Sequence, residues 1–121
     1  MDVTTVEKFL RLSEQAKIEA LVRLAWELTV VGRDAYEPGT NRLTHPTRLR
    51  AINEIQHRIS AHVLAMLRGD ERRYPDVVLA RMILEEDNDP VLQDEIARAF
   101  AQVIDGEASR QNTVAHAGSR S

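Results

Sequence analysis

The chain has 121 residues, 43% apolar and 29% charged, which excludes a disordered polypeptide and supplies one cored domain but not two. It contains no Cys, so disulfides, thiolate metal sites and cysteine nucleophiles are excluded. A net charge of −3 argues against coating nucleic acid by charge alone.

The N-terminal MDVTTVEKFLRLSEQ is interrupted by charge every few positions and carries no signal-peptide pattern, and no later run reaches membrane length. The expected compartment is the cytoplasm. From Thr5 to Val31 the spacing predicts one long first helix, capped by Thr4 or Thr5 and stopped at Gly32. Its core arc is Val6, Phe9, Leu10, Ala20, Leu21, Leu24, Leu28 and Val31. A second apolar stripe, Ile18, Val22, Ala25, Trp26 and Thr29, lies roughly opposite the first. One helix of a small bundle does not readily bury two faces, so this stripe is the candidate interface, for a homodimer or another protein partner.

Residues 34–45 gather Pro38, Gly39, Thr40 and Asn41 and read as the one long loop. Pro46 starts the next helix, because proline is tolerated where no backbone donor is needed, and Gly69 ends it. At about 100° per residue, Leu49, Ile52, Ile55, Ile59, Val63, Met66 and Leu67 form its core arc. Glu54 and Arg58 fall opposite. Gln56 points into the arc and therefore needs a hydrogen-bond partner, with Asn53 and His57 on the adjoining shoulder.

A short helix from about Pro75 is apolar nearly all round and belongs in the interior. Asp89-Pro90 is an acidic cap followed by proline at the first helical position. It starts a last helix whose stripe is Leu92, Ile96, Ala99, Phe100 and Val103, with a stop expected at Gly106. The fold class is thus all-α, a small bundle of about four helices. The domain is expected over 1–106, followed by a flexible tail over 107–121 whose final Gly-Ser-Arg-Ser reads as vector-derived. Charge is polarised: residues 42–73 carry seven Arg against three acids, +4, while residues 82–107 carry eight acids against one Arg, −7.

Three functions fit these residues. The first is a non-enzymatic interaction or regulatory module that self-associates through the first helix. The second is a small-ligand or catalytic cleft where the first two helices meet, formed by Glu27, Asn53, Gln56 and His57, with Tyr36 and His45 as lids. The third is RNA cleavage by Arg58 and His62, a pair similar in type to that of small helical nucleases of toxin systems. Glu54-x-x-His57 resembles the Glu-x-x-His of ferritin-like di-iron bundles. That chemistry requires the motif on two helices, and a second copy is absent. Neither a metal nor a cofactor is expected, and no catalytic residue is assigned.

Overall fold

Ser13 divides the first apolar segment in two. The computed structural model describes residues 3–33, 36–37, 42–43, 45–85 and 89–118, with side chains over 4–33, 45–85 and 89–111. In it α1 (Val3–Arg11) and α2 (Glu14–Gly32) are separate helices, which corrects the single long first helix. Ser13 is extended, with φ −62° and ψ 163°, and its Oγ accepts from Ala16 N at 3.2 Å, satisfying one free donor of the helix start. The Ser13 amide in turn donates to Gln111 Oε1 at 3.0 Å. Ser13→Ala removes the cap and costs about 1 kcal/mol, to be read as a lower urea midpoint with an unchanged m-value. An unshifted midpoint would show that the bend is set by packing alone.

After the break α1 packs against later parts of the chain, where Phe9 meets Phe100 with ring centroids 5.4 Å apart and planes tilted by 56°. The expected Thr4 or Thr5 cap is displaced: α1 begins at Val3, and Thr5 is buried inside it.

The remaining helices are α3 (Pro46–Arg68), α4 (Asp76–Glu85) and α5 (Pro90–Gly118), making five rather than about four among the described residues. Two-residue strands, β1 (Tyr36–Glu37) and β2 (Arg42–Leu43), pair antiparallel within the expected loop. Pro46 does occupy the first turn of α3. At its other end Gly69 takes φ +69°, and the Gly69 and Asp70 amides donate to Met66 O and Ala65 O. That is the paired closure that a glycine in left-handed conformation allows. Asp89 Oδ1 accepts from the amides of Val91 and Leu92 at 3.0 and 3.3 Å, and its other oxygen takes Arg48 at 2.8 Å. Those donors, Arg48 first, hold its carboxyl below the usual range.

Helix α2 is the axis of the bundle. Its Ala20, Leu21, Leu24 and Leu28 are fully buried, α3 packs along one flank and α5 along the other. The core is completed by Ile52, Ile55 and Ile59 of α3, Leu79 and Ile83 of α4, and Leu92, Ile96, Phe100 and Ile104 of α5. Leu10 and Leu67, both assigned to core arcs, are exposed. Gly106 does not stop α5, which continues to Gly118, correcting the end expected there. Val103, Ile104 and Glu107 on either side are buried and hold the turn in place against the roughly 1 kcal/mol that glycine costs a helix.

Candidate functional site

Because α2 turns its leucines toward α3 and α5, its opposite side meets solvent. Trp26, the only Trp, is 66% exposed, with Val22 at 51% and Val30 at 42% one turn to either side. Leu64 (47%) and Leu67 (63%) on the neighbouring α3 are also exposed. A shallow furrow between the two helices is lined by Val22, Ala25, Ser60 and Leu64. The five candidate interface residues are thus divided. Val22 and Trp26 form a ridge, while Ile18 and Ala25 are half-buried against the core, and Thr29 uses its hydroxyl internally. Val30, and Leu64 across the furrow, belong to this surface as well. Spacing of four from Trp26 could have revealed Val30.

The proposed cleft residues do not converge. Glu27 is exposed on the α5 flank, in a furrow with Arg23, Gln102 and Arg110. The nearby Arg23 Nε lies 3.3 Å from Glu107 of α5. Asn53 and His57 are on α3, across the α2 axis. Gln56 closes on α2 instead: its Nε2 donates to Ala25 O and to Thr29 Oγ1, both at 2.9 Å. A half-buried amide is thereby satisfied, and α3 is fixed in register against α2. The side chain of Tyr36 lies outside the described residues, and His45 is exposed at the start of α3.

An open groove of about 730 Å³ follows the outward side of α3, with Arg50, Asn53, Glu54, His57 and Arg58 along it. Arg73 joins from the α3–α4 connection, its guanidinium 5.5 Å from the ring centroid of Tyr74. Its net positive lining would favour an anion. His62 borders the same groove but is 4% exposed, and its Nε2 lies 2.8 Å from Asp76 Oδ1. The Arg58 and His62 pair therefore offers an imidazole already engaged by a structural carboxylate.

That carboxylate centres a cluster missed in the sequence. Asp76, in the first turn of α4, also takes Lys17 Nζ at 3.0 Å and Arg72 NH1 at 2.7 Å, while Arg72 reaches on to Glu14. Burial raises the Asp76 carboxyl, but donors from His62, Lys17 and Arg72 outweigh it and bring it down to about 2. Among the described residues no group of three or more His, Asp or Glu could hold a metal ion, and no helix is long and apolar enough to cross a membrane.

No family model matches the chain, and comparison with curated proteins and with solved structures finds no match.

Proposed function

We propose that the protein is a non-enzymatic interaction module that works by self-association through the outer face of α2. The observation that carries this reading is the exposure of Trp26 beside Val22 and Val30, on the face turned away from a fully formed core. Water-exposed aromatic and branched aliphatic side chains in one stripe are what an interface core is made of, and Trp is the residue most enriched where binding energy concentrates. Among the described residues, helices α3 and α5 flank α2 without covering the stripe. Most soluble homo-oligomers are symmetric dimers, because one self-complementary patch is sufficient. The ligand-cleft alternative is weakened by the separation of Glu27 from Asn53 and His57.

The test is solution mass by sedimentation or light scattering for the parent and for Val22→Glu/Trp26→Ala. At tens of micromolar the parent is expected at twice the chain mass and the variant at the chain mass, with unchanged helical content. A parent that stays monomeric overturns the reading.

A further inference from the structure

Four exposed residues of α2 and its exposed C-cap, Arg33, are placed symmetrically about the position of Trp26. Counting outward, Val22 and Val30 lie four residues to either side, and Glu19 and Arg33 seven. All five are exposed. At about 100° per residue, Glu19 and Arg33 fall 20° to opposite sides of Trp26, and Val22 and Val30 fall 40° to opposite sides. The ridge therefore reads the same in both directions, except that its two ends carry opposite charge. Resting on the self-association reading, the geometry points to a specific partner and register: a second copy of this chain, its α2 antiparallel, with the two-fold axis at Trp26.

In that register Trp26 stacks against the partner's Trp26, each Val22 meets the partner's Val30, and each Glu19 meets the partner's Arg33. An isologous contact requires that residue i meet j while j meets i, and this sequence supplies that reciprocity on one helix. A parallel pairing would set Glu19 against Glu19 and Arg33 against Arg33, and like charges in apposition are penalised. An unrelated partner protein would impose no symmetry on the ridge. Around the ridge Arg23 stays with Glu107, and the Thr29 hydroxyl stays with Gln56. Glu19 accepts from Gln15 Nε2 at 3.2 Å, an exposed neutral contact that leaves its charge uncompensated. The exposed Leu64 of α3, across the furrow from Val22, widens the apolar surface on one side.

The chain contains no Cys, so introduced thiols report the register without background. Val22→Cys/Val30→Cys is expected to form an intermolecular disulfide dimer under mild oxidation at a concentration where the parent self-associates. Val22→Cys alone is expected to remain uncross-linked. In this register its copies are eight residues apart along the helix, about 12 Å, beyond the reach of a disulfide. In parallel, Glu19→Arg and Arg33→Glu are each expected to raise the dissociation constant on the order of 10-fold, because two contacts reverse at once. Glu19→Arg/Arg33→Glu restores it. Efficient cross-linking of Val22→Cys alone, or no rescue in the double reversal, overturns this register while leaving self-association standing. A parent monomeric throughout overturns both.

Discussion

Asp76→Ala is expected to lower folding stability by about 3 kcal/mol, one of the two largest losses foreseen for a single side chain. Removing one partner of an enclosed ion cluster leaves the others without compensation. Here three are left: Lys17 from α2, His62 from α3 and Arg72 from the α3–α4 connection, with Lys17 and His62 themselves largely buried. The carboxylate also sits in the first turn of α4, where the helix dipole favours negative charge. Its acidity adds a pH signature. Folding lowers its pKa from 3.8 to about 2, so its contribution is complete above pH 4 and is lost as pH falls through 2. It amounts to roughly 2 kcal/mol, since each tenfold change in proton affinity corresponds to about 1.4 kcal/mol. Urea unfolding of the parent and of Asp76→Asn at pH 7 and at pH 2 provides the comparison. The variant is expected to be less stable at pH 7 and to lose less on acidification. Equal losses in the two proteins would remove Asp76 from that role.

The helices of this bundle were legible wherever a residue's local chemistry decides. Pro46 and Gly69 bound α3 because one lacks a donor and the other accepts positive φ, and Asp89-Pro90 opens α5 by the same reasoning. The wheel also turned Gln56 inward. What it could not supply was the order of helices around α2. Glu27 lies on a shoulder of the core arc, and a shoulder faces whichever neighbour packs there, here α5 and not α3. The same limit hid Asp76, whose partners Lys17, His62 and Arg72 come from three other parts of the chain and whose local sequence reads only as a helix start.

The break at Ser13 and the continuation past Gly106 are two sides of one contact. Serine is close to neutral inside a helix, so capping at Leu12-Ser13 prevails only because the turned α1 gains a buried site. Glycine at 106 is unfavourable in isolation, yet the next turns supply Glu107, facing Arg23 and Arg110, and Gln111, which takes the Ser13 amide. Each irregularity is stabilised by residues nearly a hundred positions away. Taken in sequence order, both look like the opposite of what they are.

Phe9→Ala is expected to be the other severe substitution, at about 3–5 kcal/mol. Phe9 is fully buried and tilted against the equally buried Phe100, so truncation loses the ring's transfer energy, leaves a cavity and removes an aromatic pair. The loss should concentrate in α1. Nine residues are too few for a helix to persist in water by propensity, so α1 depends on its docking against α4 and α5. The exposed ion pair between Lys8 and Asp105, 3.4 Å long, adds little to that docking. Amide hydrogen exchange is therefore expected to accelerate across α1 and at the Ser13 junction before it does in α2. Leu10→Ala on the same helix, at a position 38% exposed and outside the core, should shift the denaturation midpoint less. Phe9→Leu, which keeps most of the volume, should fall between the two. If Phe9→Ala and Leu10→Ala prove equally mild, α1 is an appendage and not the lid of the core, and the bend at Ser13 has another cause.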